Sequence, residues 1–158
     1  MEVYLSLGTN LVDKEANLLR DIDEIQKRVG PVKAQSSFVK TPPWGFDSQN
    51  EFINAVVEVE TLLDPFALLD TTQEIERLMG RGEKSKDGIY HDRLIDIDIL
   101  VYGDSFINTP RLTIPHPLLS RRLFVLVPLA EIAPTLKCPR CDATVEKMKN
   151  RLTLDHRL

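Results

Sequence analysis

Arg93-Leu94-Ile95-Asp96-Ile97-Asp98-Ile99-Leu100 sets two carboxylates two residues apart inside an otherwise apolar run. In a β-strand successive side chains alternate, so Asp96 and Asp98 share one face while Ile95, Ile97, Ile99 and Val101 share the other. A helix would send the two acids to nearly opposite sides, where they could not share a ligand. The β-branched isoleucines decide for the strand. Two readings of the acid pair then stand side by side. It is a preorganised site for Mg²⁺ and phosphate oxygens, since like charges this close repel unless a cation intervenes; or it is a strand face that simply stays wet.

Upstream, Val3 to Leu7 reads as a strand ending at the turn cluster Gly8-Thr9-Asn10. A helix follows from Asp13, its expected N-cap, with Leu18, Ile22, Ile25 and Val29 as the apolar stripe and Gly30-Pro31 as the stop. A second strand is expected from Val32 to Val39, and Thr41-Pro42-Pro43-Trp44-Gly45 opens a stiff loop reaching Asn50. Phe52 to Glu60 alternates as a third strand. Ile53, Ala55, Val57 and Val59 take one face; Phe52, Asn54, Glu58 and Glu60 take the other, with Val56 among them.

Asp64-Pro65 caps a second helix with proline at its first position. Leu68, Leu69, Thr72, Ile75 and Met79 turn inward, and Gly80 closes it. The polar stretch Arg81 to Asp92 leads into the aspartate strand. Beyond Gly103 come Ile107 to Ile114, a break at Pro115-His116-Pro117, a helix around Phe124 to Ile132, and a short helix after Asp142.

The order βαββαβ, followed by helices, predicts an α+β fold of the ferredoxin-like kind, one antiparallel sheet with two helices on one face and further helices at the C-terminus. Phe52, Asn54, Asp96 and Asp98 then meet on the open face, roofed by the two loops. With 158 residues, one domain spanning 1–158 is the simplest division.

A net charge of −4 argues against broad nucleic-acid binding, while leaving room for a local basic pocket around a small phosphate ligand. The chain opens directly into Glu2-Val3-Tyr4-Leu5-Ser6-Leu7, without a basic leader, and no apolar run reaches membrane-spanning length, so a cytoplasmic location is expected. Cys138 and Cys141 form one CxxC, half of a tetrahedral zinc site, and the spacing to His156 fits no standard arrangement. With Pro134 and Pro139 nearby, the segment reads as a turn carrying reduced thiols.

Magnesium takes one or two carboxylates and completes its shell with water and substrate phosphates, so an aspartate pair used for metal implies a nucleotide. Arg81, Lys84, Lys86, Arg93, Arg111, His116, Arg121 and Arg122 are cationic residues within reach of such phosphates. Lys84 and Lys86, interleaved with Glu83 and Asp87, look most like plain surface. No glycine-rich phosphate loop of the Walker type occurs, and no Ser/His/Asp or Cys/His set argues for covalent catalysis. Asn54, turned inward from a strand, can both donate and accept, which suits a heterocycle with an amide-like edge. Gln73 and Glu76 read as the polar face of the second helix. A nucleotidyltransferase releasing pyrophosphate and a non-catalytic ferredoxin-like module binding a small ligand are competing readings of the Asp-x-Asp strand.

Gly8-Thr9-Asn10, Thr41-Pro42-Pro43-Trp44-Gly45, Phe52-Ile53-Asn54-Ala55-Val56, the aspartate strand, Ile114-Pro115-His116-Pro117 and Phe124-Val125-Leu126 with Pro128-Leu129-Ala130-Glu131-Ile132-Ala133-Pro134 occur in that order. Together they resemble the 6-hydroxymethyl-7,8-dihydropterin pyrophosphokinase family of folate biosynthesis. The resemblance runs from Val3 to Pro134 and leaves out the CxxC.

That resemblance implies transfer of diphosphate from ATP to the pterin hydroxymethyl group, releasing AMP, with two Mg²⁺ ions on Asp96 and Asp98. It implies a pterin pocket of Gly8, Thr41, Pro42, Pro43, Trp44, Phe52, Asn54 and Phe124. Around ATP it implies Gln73, Glu76, Tyr90, Arg93, Ile99, Arg111, Thr113, His116 and Arg122, with Arg81 and Arg93 as catalytic cations. Small molecules are the implied partners, with a monomer or weak homo-oligomer as the assembly. The departure lies before the aspartate strand. Many relatives have several arginines and a Trp-Gly-Pro-Arg run there. This chain has Ile89-Tyr90-His91-Asp92-Arg93 and two extra residues upstream, with Tyr90 in the tryptophan's place as lid aromatic.

Overall fold

Strand β1 (Glu2–Thr9) is apolar along most of its length, and every residue from Val3 to Thr9 is buried, as a central strand requires. The computed structural model describes residues 1–9, 13–41, 52–79 and 95–156. In it β1 pairs antiparallel with β4 (Phe52–Glu60) on one side and β5 (Asp96–Tyr102) on the other. Strands β2 (Val32–Gln35) and β3 (Val39–Thr41) both pair with the far side of β4. The sheet order β2-β4-β1-β5 is the one expected of a ferredoxin-like βαββαβ unit.

One face of the sheet carries Val3, Leu5, Leu7, Ile53, Ala55, Val57, Val59, Ile97 and Ile99. Helix α1 (Lys14–Arg28) lays Leu18 and Ile25 on it, and α2 (Pro65–Leu78) adds Leu68 and Ile75. Each such aliphatic side chain contributes roughly 1.5–3 kcal/mol when removed from water. The α2 entry follows the sequence: Asp64 accepts the Ala67 amide at 2.8 Å, with Pro65 at the first position. Gly30 ends the α1 turn at φ 154°, and a Cβ there would meet the Glu60 carbonyl oxygen at 2.0 Å.

The opposite face departs from the expected open surface. Helices α3 (Leu123–Ile132) and α4 (Val145–His156) cover part of it, packing Val125, Leu126, Leu129, Val145 and Met148 against Tyr4, Val56, Leu100 and Val101. Asn54, Asp96 and Asp98 lie at the end of this face outside that cluster. Val101 was expected beside the isoleucines and lies instead on the α3 face. Tyr4 pairs with Val101 and Leu5 with Ile99, so Leu100 is an extra residue in the ladder. This β-bulge resets the alternation and sends Tyr102 to the helix side, where its hydroxyl donates to the Leu63 carbonyl at 2.7 Å.

Two further expectations change. The strand expected from Val32 to Val39 is two strands. Ser36 intervenes; its Oγ accepts the Val56 amide at 2.9 Å, and the register against β4 slips by one residue before Val39. Asp13 precedes α1 in the left-handed region, φ 59°, and its side chain caps nothing. Ile107 to Ile114 forms a hairpin of β6 (Ile107–Asn108) and β7 (Thr113–Ile114). The expected closure of α2 at Gly80 lies outside the described residues, as does all of 42–51. Among the described residues, no helix is long and apolar enough to cross a membrane.

Candidate active site

The register of β1 builds the site in two rows. Gly8 lies opposite Asn54 on β4 and opposite Asp96 on β5; Ser6 lies opposite Val56 and Asp98 in the next row on the same face. Strand geometry puts the two aspartates about 7 Å apart along β5 and Asn54 about 10 Å from Asp96 across Gly8. Both aspartates are half-buried, whereas Asn54 is 5% exposed. Gly8 makes that placement possible, because a Cβ there would sit 2.7 Å from Asn54 Oδ1. The Asn54 amide therefore lies over bare backbone, beside the acid pair. Phe52, two residues earlier on the same face, is half-buried.

A second group closes on Asp98 from the chain beyond β5. The His116 amide donates to the Leu100 carbonyl at 2.9 Å, tying the Ile114-Pro115-His116 segment to the bulge. Its Nδ1 accepts the Leu118 amide at 3.1 Å, which leaves the ring proton on Nε2. Burial lowers the imidazole below its ordinary pKa; Asp98 pulls it back up and Arg122 pushes it down. His116 thus feels both neighbours.

Arg122 occupies the N-cap of α3, where no side chain caps the helix and no acid stands in the first turn. A cation beside a positive helix end is an unfavourable local arrangement that an anionic ligand would relieve. The guanidinium lies 5.5 Å from the centroid of the half-buried Phe124 ring.

The remaining expected residues scatter. Arg111 pairs with Asp70 and lies 5.9 Å from the Phe66 ring centroid, so it is held against α2. Thr113 stands in β7 opposite Asn108, and Gln73 is exposed on α2. Ile99 buries its side chain in the helix-facing core and offers a ligand only backbone. Thr41 is placed only by its backbone, opposite Phe52. Pro42, Pro43, Trp44, Arg81, Lys84, Lys86, Tyr90 and Arg93 lie outside the described residues.

Glu76 corrects the reading of a plain polar helix face. It is 5% exposed, and its Oε2 accepts the Ile97 amide at 2.8 Å, the residue between the two aspartates. Near it, fully buried on α1, is Asp21, whose two carboxylate oxygens find no hydrogen-bond partner among the described residues. Burial first, then Glu76 and Glu24, push Asp21 up to about 8. Asp21 leaves a mark in the sequence, a charge on the apolar stripe of Leu18 and Ile25.

As metal ligands, Asp96 and Asp98 present hard oxygen donors on a partly open face, the donor set Mg²⁺ accepts. Among the described residues no cluster of three or more His, Cys, Asp and Glu could hold a metal by itself. A cation on this pair would complete its shell with water and phosphate oxygens.

Residues 4–134 match the family model described as 7,8-dihydro-6-hydroxymethylpterin-pyrophosphokinase (HPPK). A 2-amino-4-hydroxy-6-hydroxymethyldihydropteridine pyrophosphokinase from Porphyromonas gingivalis is 47% identical over 135 residues, covering 85% of this chain and 92% of the relative. The protein of that name from Bacillus subtilis is 40% identical over 145 residues, covering 91% and 85%. In fold, the chain resembles the crystal structure of Plasmodium falciparum HPPK-DHPS with pteroate, at a TM-score of 0.79 and 18% identity. That alignment covers 99% of this chain and 44% of the longer one.

Proposed function

Because the chain belongs to the 7,8-dihydro-6-hydroxymethylpterin-pyrophosphokinase family, we propose that it transfers the diphosphate of ATP to the hydroxymethyl group of 6-hydroxymethyl-7,8-dihydropterin, a step of folate biosynthesis. The observation that carries this reading is the row Asn54–Gly8–Asp96 with Asp98 beside it, an amide and an acid pair facing one ligand space.

Asn54 is buried deeply enough to discriminate, since a buried amide left unpaired by the wrong ring costs about 1–3 kcal/mol. Its carbonyl and NH₂ suit the pyrimidinone edge of the pterin, and Phe52, Phe124, Thr41, Pro42, Pro43 and Trp44 complete the pocket in this reading. Held there, the pterin directs its hydroxymethyl oxygen toward the β-phosphorus of ATP. The new P–O bond forms as the bridge between the α- and β-phosphates breaks; AMP leaves with the bridging oxygen, and the hydroxyl proton is given up.

His116 Nε2–H and the Arg122 guanidinium stand where phosphate oxygens gather, and Arg81 and Arg93 are the catalytic cations of this reading. Gln73, Glu76, Tyr90, Ile99, Arg111 and Thr113 complete the ATP surroundings proposed for the family. Mg²⁺ bound by Asp96 and Asp98 would supply charge neutralisation and geometry for in-line displacement. Glu76 steadies the strand between them through Ile97.

The test is incubation of the chain with ATP, Mg²⁺ and the hydroxymethyl pterin. AMP and the pterin diphosphate should appear one to one, and chelating the magnesium should stop both. Release of ADP, or of free pyrophosphate with a nucleotidylated product, would overturn the assignment.

A further inference from the structure

Cys138-Pro139-Arg140-Cys141 lies beyond the matched span of residues 4–134, so the pterin chemistry gives it no role. The Cys141 amide donates to the Cys138 carbonyl at 3.0 Å. Proline in the second position and a φ of 63° at Arg140 in the third make this a type II turn. A turn of this kind holds its first and fourth Cα atoms within about 7 Å, and a disulfide needs roughly 4.4–6.8 Å.

Arg140 adopts a backbone conformation that L residues seldom take. Its guanidinium lies 3.8 Å from the Phe106 ring centroid, which holds it there. The surrounding loop is pinned at its neck, with the Val145 amide on the Leu136 carbonyl at 2.8 Å and the Glu146 amide on the Pro134 carbonyl at 3.0 Å. Within that frame the two thiols are close enough for each to act on the other.

We propose that Cys138 and Cys141 are a reversible thiol–disulfide pair that exchanges with small disulfides, Cys141 reacting first and Cys138 resolving. Exposure sets the order: Cys138 is 2% exposed among the α3 and α4 side chains, whereas Cys141 is half-buried. Burial and the neighbouring thiol also push Cys138 up to about 12, which makes it the poorer initial nucleophile. Cys141 thiolate attacks a small disulfide, forming one S–S bond and expelling one thiol. Cys138 then gives up its proton and attacks the Cys141 sulfur, expelling the second thiol. Two protein thiols are oxidised and one disulfide is reduced to two thiols.

The ring closed is only four residues, so it draws little entropy from the unfolded chain, and the bond is readily reduced again. A zinc site is the poorer use of the pair, since no cluster of three or more candidate ligands occurs among the described residues.

The full chain should be equilibrated in glutathione buffers from reducing to oxidising, trapped with an alkylating agent, and read by mass spectrometry. The expected result is a Cys138–Cys141 bridge that rises and falls reversibly along the series. In Cys138→Ser a glutathione adduct should accumulate on Cys141, and in Cys141→Ser the adduct on Cys138 should be at least tenfold slower to form. Three outcomes would overturn the proposal: both cysteines stay alkylatable throughout, Cys138 takes the adduct first, or the wild-type chain stops at the mixed disulfide. Stoichiometric Zn²⁺ binding lost in both variants would also overturn it, by giving the thiols to a metal.

Discussion

Asp96 and Asp98 project from β5 into a half-open cleft, while Asp21 and Glu76 lie on the other side of the same sheet, buried where α1 meets α2. The cleft pair is half-buried and so keeps part of its contact with water. In the buried pair Glu76 accepts the Ile97 amide, while among the described residues nothing hydrogen-bonds the Asp21 oxygens. An acid facing water is available to a ligand at little cost to folding; an acid deprived of water must hold a proton or destabilise the fold. The sheet therefore separates a pair that the proposed function assigns to chemistry from a pair that stability has to tolerate.

The largest expected effect is on the cleft side. Asp98→Ala should lower kcat/KM on the order of a thousandfold, about 4 kcal/mol, by removing a metal ligand. Because Asp98 is half-buried on the open face, the melting temperature should stay within about 3 °C of the parent. A large fall in melting temperature with turnover retained would erase the contrast between the two pairs.

On the buried side the effect is on stability and depends on pH. Between about pH 4 and pH 8 the folded chain holds a proton on Asp21 that the unfolded chain has released. Stability from this group is therefore fully present below the unfolded pKa and is lost as pH rises, by about 1.4 kcal/mol per pH unit across that window. Asp21→Asn should flatten that slope, and urea unfolding at pH 5 and pH 8 would show it. A variant with the parent's slope would mean that Asp21 is not the proton holder.

Gly8→Ala tests the row that links pterin to the acids. The added Cβ would displace the Asn54 amide at small cost in stability, so the KM for pterin should rise about tenfold, one hydrogen bond's worth, while that for ATP changes less than twofold. Equal loss for both substrates would detach Asn54 from pterin. Smallest of the four, Asp64→Ala removes the α2 cap far from the cleft. It should cost about 1 kcal/mol in urea unfolding and leave turnover unchanged.

Much of this was legible in the order of residues. The alternation from Phe52 to Glu60 assigned each side chain its face, and Asp64-Pro65 announced the start of α2. Asn54 and the aspartates were placed together by parity alone, and the register across Gly8 bears that placement out. What escaped is local and non-periodic. The extra residue at Leu100 leaves no mark in a run of uniformly apolar residues, and Ser36 breaks its strand through a side-chain hydrogen bond with a residue twenty positions away. Glu76 passed for surface because acids on helices usually are; its partner is a backbone amide on β5, which no spacing rule within α2 reveals.

The bulge at Leu100 divides β5 into two short ribbons laid end to end. The first carries its acids on the face shared with Gly8 and Asn54, and the second shows Leu100 and Val101 to α3. Since the amide of His116 is moored to that odd residue, the imidazole takes its bearings from the bulge rather than from the β6–β7 hairpin that precedes it. The hairpin can therefore change length in sequence without unseating the histidine, whereas adding or deleting one residue between Asp98 and Leu100 would turn imidazole and carboxylate away from each other.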